Sequence, residues 1–233
     1  MSGRHVDFVM GRVKMLLHFG VTPYLVFDGD YLPSKAAEEA ERAMFAVYFM
    51  TPTSTGTNSC FLRRREESKK AGLELLRQGM KSQAYLQFGK AVDVTPQMAR
   101  HLIDALIEAN VQYIVAPYEA DAQMFYLEKM GIVDAIVSED SDLLVFGCKN
   151  LITKLSQHGE CVDIHRGDFA ACKDISLAGW TNAEFRSMAI LSGCDYLENI
   201  PQLGLRTAHR LVRKYKVIDK VCINLIVDSS GYG

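Results

Sequence analysis

A chain of 233 residues is long enough for one large domain or two small ones, and its 48% hydrophobic content suits a packed core. With 26 basic and 28 acidic residues the net charge is −2, which excludes a uniformly basic nucleic-acid coat. No apolar run approaches the ~18 residues of a membrane span, and the N-terminus carries no signal-peptide pattern. The six cysteines show no C-x-x-C pair and no framework spacing, the usage expected of reduced intracellular thiols. The charges are unevenly placed: bases concentrate at 63–81 and 206–220, and acids concentrate at the ends of apolar runs.

Taken in order, residues 5–19 predict an amphipathic helix with Val6, Val9, Met10, Val13, Leu16 and Leu17 on one stripe and Gly20 as its stop. Tyr24–Phe27 reads as a strand running into Asp28-Gly29-Asp30, which in isolation is a turn. Residues 35–42 are helical and highly charged, the pattern of a solvated face. Residues 43–62 break the style of the chain, passing from a bulky apolar run into a Ser/Thr/Gly loop with no helical or strand period. That segment reads either as untranslated sequence carried through in a gene model or as a lineage-specific loop, and is expected to lack a stable fold. Residues 63–91 predict a helical hairpin broken near Gly79, and Thr95-Pro96 is an N-cap followed by proline at the first helical position of a helix reaching Asn110.

A strand at 111–116, a helix at 119–130 and a strand at 133–137 form a β-α-β unit, hence a parallel sheet. Residues 150–155 and 161–165 flank Gln157-His158-Gly159-Glu160 as a hairpin, and Thr181-x-x-Glu184 is a capping box opening the helix of Phe185, Met188, Ala189 and Ile190. A helix–turn–helix around Gly204 follows, then a weak tail at 228–233. No internal repeat is present.

The acids mark the chemistry. Glu139, Asp140 and Asp142 follow the apolar run Ala135-Ile136-Val137, and burying such a cluster unpaired is prohibitively costly. Glu119 and Asp121 follow Tyr113–Ala116, Asp28 ends Tyr24–Phe27, and Asp195 follows Leu191–Cys194. Each acid alone reads as an N-cap or a solvated loop residue. Together, at the strand ends where open α/β sheets bind ligands, they predict one shared site for hard divalent cations, which prefer oxygen ligands. Zinc is disfavoured because no His/Cys cluster has its spacing. Two ions about 4 Å apart suit an in-line phosphoryl displacement. Val26–Asp30 also looks like the nucleophile loop of haloacid-dehalogenase-like phosphatases, but Leu32 stands where that family has threonine or valine, and Glu119 and Asp121 would have no role.

Four stretches carry a resemblance: Val26–Gly29, Ala116-Pro117-Tyr118-Glu119-Ala120-Asp121-Ala122-Gln123, Ser138-Glu139-Asp140-Ser141-Asp142 and Leu191-Ser192-Gly193-Cys194-Asp195-Tyr196. In order and spacing they resemble the flap endonuclease/XPG superfamily of structure-specific 5′ nucleases, over almost the whole chain outside 43–62. The resemblance implies an α/β fold, a mainly parallel sheet flanked by helices, with a helical arch and a helix–two-turn–helix duplex-binding motif. It makes Asp28, Glu119, Asp121, Asp140, Asp142 and Asp195 metal ligands, and Lys35 and Arg42 the arch residues that grip the scissile phosphate.

On this reading residues 1–42 hold the remainder of the N-terminal nuclease region and the start of the arch. Residues 63–91 are arch helices, 92–197 the internal nuclease region and 198–227 the duplex-binding motif. Arg206, Arg210, Arg213 and Lys214 would supply its phosphate contacts, where a plain basic surface helix is the alternative. The family's Gly-x-Gly turn stands here as Gln202-Leu203-Gly204.

The implied activity is a 5′→3′ double-stranded DNA exonuclease with 5′-flap cleavage, acting in DNA repair in the nucleus as a monomer. Two Mg²⁺ ions are implied, with Mn²⁺ able to substitute, and K⁺ at the duplex-binding motif. DNA with 5′ ends, nicks or flaps would be the partner, and mismatch-repair proteins would be reached only through a further C-terminal tail. The family carries a first strand and another metal-binding Asp ahead of the part matched here, so this chain is expected to be poorly soluble and weakly active. A DNA-binding fragment without chemistry and a PIN-domain RNA nuclease are the rival readings, the latter giving no reason for residues 198–220.

Overall fold

The computed structural model describes residues 3–30, 60–91, 94–194, 200, 201 and 203–222, in two compact units, Met1–Lys35 with Ala105–Gly233 and Ala36–Asp104. Most of the 43–62 segment lies outside the described residues, but its end does not: helix α2 begins at Cys60. The charged helical run therefore starts earlier than its pattern suggests. A first turn needs no intrahelical partners for its N–H groups, so Cys60–Leu62 can supply it.

In the smaller unit α2 (Cys60–Arg77) and α3 (Lys81–Gly89) form the expected hairpin. Gly79 breaks it with φ of +79°, a conformation that glycine adopts without penalty. Helix α4 (Pro96–Glu108) starts where Thr95 Oγ1 accepts the Met98 N–H at 3.3 Å.

The larger unit opens with α1 (Arg4–His18), whose Val13 is buried while Leu17, on the outer flank of the expected stripe, stays 48% exposed. Strand β1 (Tyr24–Phe27) pairs in parallel with β2 (Gln112–Val115), Tyr24 opposite Gln112 and Phe27 opposite Val115. Helix α5 (Ala120–Lys129) leads to β3 (Ile136–Val137), which pairs in parallel with β4 (Asn150–Thr153). The hairpin then turns back antiparallel as β5 (Val162–His165). The β-α-β unit thus forms, but among the described residues its two strands belong to separate ladders, β1–β2 and β3–β4–β5. Strand β3 is shorter than the apolar run predicts because it is paired only where Leu151 and Ile152 lie opposite. Helix α5 packs against both β1 and β3, so the two ladders share one helical cover.

Ile136, Leu143, Cys148 and Leu151 form the core beneath α5. Within it Glu128, 5% exposed, accepts the Lys149 and Asn150 N–H groups at 2.8 and 2.9 Å. A buried carboxylate is tolerable when backbone donors satisfy it. Burial, with Glu128 nearby, pushes the Cys148 thiol up to about 11.

A second core joins Leu177, Met188, Leu191, Leu203, Ala208, Val212 and Val221, uniting α7 (Asn182–Ser192) with α8 (Leu205–Tyr215). The capping box at its edge is complete: Thr181 Oγ1 accepts from Glu184 N, and Glu184 Oε2 from Thr181 N. Lys216 Nζ reaches Glu184 Oε1 at 2.9 Å, tying the end of α8 to the start of α7. The Thr181 backbone N–H, then Lys216, hold the Glu184 carboxyl down to about 2.

Because that folded value lies below the ordinary 4.5, the stabilisation is complete above pH 4.5 and is lost as pH falls through about 2. Glu184→Gln is expected to cost ~1–2 kcal/mol at neutral pH. The difference from the unsubstituted protein should shrink below pH 4.5, read by urea denaturation across that range. A constant difference down to pH 2 would remove ionisation from this account.

Candidate metal centre

The approach of Asp28 to α5 begins with a glycine. Past β1 the chain stays zipped to its neighbour, Gly29 N donating to Tyr118 O at 2.6 Å and Asp30 N to Pro117 O at 3.0 Å. A Cβ at Gly29 would collide with the Ala116 carbonyl oxygen, so only glycine permits this contact. Asp28 Oδ1 is thereby brought to the first turn of α5, where it accepts the Ala120 N–H at 2.7 Å. Glu119 is the N-cap residue of that helix and Asp121 lies in its first turn, so three acids surround one helix N-terminus, where the helix dipole favours negative charge.

The second group follows β3. Ser138 Oγ accepts the Asp140 N–H at 3.0 Å, and Asp140 Oδ1 accepts the Asp142 N–H at 2.9 Å. These turns start α6 (Asp142–Phe146), closed by Gly147 at φ +104°. Glu139 points the other way, accepting from Lys154 N at 2.8 Å and Thr153 Oγ1 at 3.1 Å at the end of β4.

The two groups act on each other through Asp121. Burial first, then the charges of Asp140, Asp28, Glu119 and Asp142, push its carboxyl up from 3.8 to about 6. All four of those charges are negative, so the site carries a surplus that a divalent cation would offset, and its donors are all oxygens. Among the described residues, however, no three His, Cys, Asp or Glu side chains are gathered closely enough to hold an ion. The sixth expected acid, Asp195, lies outside the described residues, as do Lys35 and Arg42.

Arg206, Arg210, Arg213 and Lys214 are all exposed on α8, opposite the buried Ala208 and Val212. The first three stand at i, i+4 and i+7, one face of the helix. Sequence reasoning passed over several groups that shape the site. Gly29 was legible in principle, since a glycine between two acids after a strand signals close backbone approach. Glu139 was counted with the acidic cluster, and its turn toward the end of β4 has no local signature; nor do the bonds from Arg166 and Arg186 to carbonyls 22 to 41 residues away.

A parallel αβ unit with acids at the ends of its strands places those acids where open α/β sheets bind ligands. Models of the XPG N-terminal domain and the XPG I-region match residues 1–45 and 110–195, and the chain belongs to the flap endonuclease/XPG superfamily. Within it the chain groups with exonuclease 1: it is 42% identical over 222 residues to exonuclease 1 of Arabidopsis thaliana and 42% identical over 225 residues to exodeoxyribonuclease 1 of Saccharomyces cerevisiae. Those alignments cover 95% and 96% of this chain but only 28% and 29% of the relatives' lengths. The catalytic core of Rad2 in complex with DNA superposes with a TM-score of 0.65 at 19% identity, covering 100% of this chain and 60% of that one, which shows the shared fold.

The raised Asp121 value has a stability consequence. Without divalent ions its repulsion is absent below pH 3.8, grows as pH rises, and is complete above about 6. Asp121→Asn is therefore expected to stabilise the ion-free protein at pH 7.5 by ~1 kcal/mol, allowing for screening of a half-exposed group. Thermal melts in chelator should show that gain fading toward pH 4, and added Mg²⁺ should raise the melting temperature of the unsubstituted protein more than that of the variant.

Proposed function

We propose that this chain is the catalytic region of an exonuclease 1-type 5′→3′ DNA exonuclease with 5′-flap activity, hydrolysing phosphodiesters with divalent metal and no covalent enzyme intermediate. The observation that carries the reading is the 42% identity to exonuclease 1 relatives, with acids from both strand ladders oriented by backbone bonds, Asp28 by Ala120 N and Asp140 by Asp142 N. Asp28, Glu119, Asp121, Asp140 and Asp142 would hold the metal, with Asp195 completing the set. Bound Mg²⁺ would stabilise the charge developing on the phosphate during in-line displacement. The chain's own part is to orient those carboxylates: Asp28 through Ala120 N, and Asp140 through Ser138 and Asp142 N.

Lys35 and Arg42 would grip the scissile phosphate from the arch. On α8, Arg206, Arg210, Arg213 and Lys214 would bind the duplex backbone, which fixes position without reading sequence. The reading extends to double-stranded DNA with 5′ ends, nicks or flaps as substrate, Mn²⁺ as a substitute ion, K⁺ near the turn before α8, and DNA repair in the nucleus. Support comes from the relatives' names, from a fold shared with a DNA-bound nuclease core and from the oxygen-only donor set.

A second reading, duplex binding without hydrolysis, is favoured by the lack of three already gathered ligands among the described residues. A Mg²⁺-dependent cleavage assay on a duplex with a recessed 5′ end separates the two. Release of 5′ nucleotides, lost in Asp140→Asn and in chelator, is expected on the first reading. Binding with no cleavage at any Mg²⁺ concentration would establish the second.

The clamp has its own measurement. Replacing Arg210 and Arg213 by alanine should reduce the slope of log affinity against log salt by ~0.9 for each phosphate left without its arginine. An unchanged slope would return α8 to plain surface.

A further inference from the structure

Helix α6 has five residues, too few to hold its own direction. Yet it starts at Asp142, and Asp140 precedes that residue by two and is bonded to its N–H, so its direction sets where both acids point. Below, Leu143 is fully buried and anchors the helix to the core. Behind, its last carbonyls have no intrahelical partners, and two arginines take them. Arg166 Nη1 donates to Leu144 O at 2.8 Å. Arg186 Nε and Nη2 donate to Val145 O and Phe146 O at 3.3 and 3.4 Å.

Arg166 is the better held of the two. Its Nε donates to Asn182 Oδ1 at 2.7 Å, and its guanidinium lies 4.9 Å from the Phe169 ring centroid and 5.2 Å from that of Phe185. The planar fork thus reaches the carbonyl of α6 and the first residue of α7 at once while resting on two rings, a task that a lysine ammonium on a flexible stem does not perform. Cationic donors at a helix C-terminus also oppose its dipole.

We infer that Arg166 is a positioning residue for the acidic site: seated on Phe169 and Phe185, and assisted by Arg186, it fixes α6 from behind and so aims Asp140 and Asp142. This rests on the reading of those acids as metal ligands. Arg166 acts through the Leu144 carbonyl and Asn182.

The test compares Arg166→Ala and Arg166→Lys with Val13→Ala, a variant of a buried residue on α1 that lowers stability and leaves the arginine contacts of α6 in place. Amide hydrogen exchange reads the loop, and calorimetric titration with Mn²⁺ reads the site. Both Arg166 variants are expected to exchange faster over 140–147, with 151–153 unchanged, and to bind Mn²⁺ ~10-fold more weakly. Val13→Ala should change neither reading beyond its overall loss of stability. If Arg166→Ala does not fold, Arg186→Ala carries the same comparison at smaller amplitude.

Unchanged exchange over 140–147 overturns the inference, and so does faster exchange with unchanged Mn²⁺ affinity, which would make Arg166 a structural residue alone. Unsubstituted protein that takes up no Mn²⁺ overturns the metal reading and this inference with it. Uptake by the unsubstituted protein with equal affinity in the variants overturns this inference only.

Discussion

Mutual repulsion among carboxylates is the constraint around which this structure is arranged. Asp121 sits half-buried in the field of four other acids, and the repulsion within such a cluster has to be offset. The fold holds it together by giving the surrounding carboxylates fixed backbone donors. Asp28 takes the Ala120 amide and Asp140 that of Asp142, while Glu139 is drawn away from them by the amide of Lys154. Backbone N–H groups aimed at carboxyl oxygens in this way make strong hydrogen bonds. The same device recurs away from the site, where Glu128 bridges Lys149 and Asn150 and Glu184 caps α7.

Much of this was legible in the sequence because it is local. The stops at Gly20 and Gly79, the Thr95 cap and the Thr181–Glu184 box are set within a few residues, and the helices that follow those caps and the β4–β5 hairpin appear where they place them, while the expected helix at 35–42 lies outside the described residues. Three of the four expected acid groups, Asp28, Glu119 with Asp121, and Asp140 with Asp142, lie among the described residues, each after the apolar run that announced it.

What escaped the sequence is non-local. The split of the strands into two ladders depends on which edges find partners, and the hydrophobic pattern of β3 is the same whether or not a neighbour lies beside it. The bonds from Arg166 and Arg186 to α6 span 22 to 41 residues, and an arginine at either position reads as ordinary surface charge. Gly29 lies between these cases, since its sequence announces a turn but not the carbonyl it must pass.

The two ladders also differ in the length of chain they enclose. Glu139 meets its partner Lys154 across 15 residues, whereas Asp28 reaches Ala120 across 92. Closing the longer loop carries the larger entropic cost and is rewarded later in folding. The half of the cluster after β3 can therefore form on its own, while Asp28 joins it only when the β1–β2 pair has closed. A cation held by both halves would recognise only the finished chain, so its binding energy would slow unfolding and leave the rate of folding largely untouched.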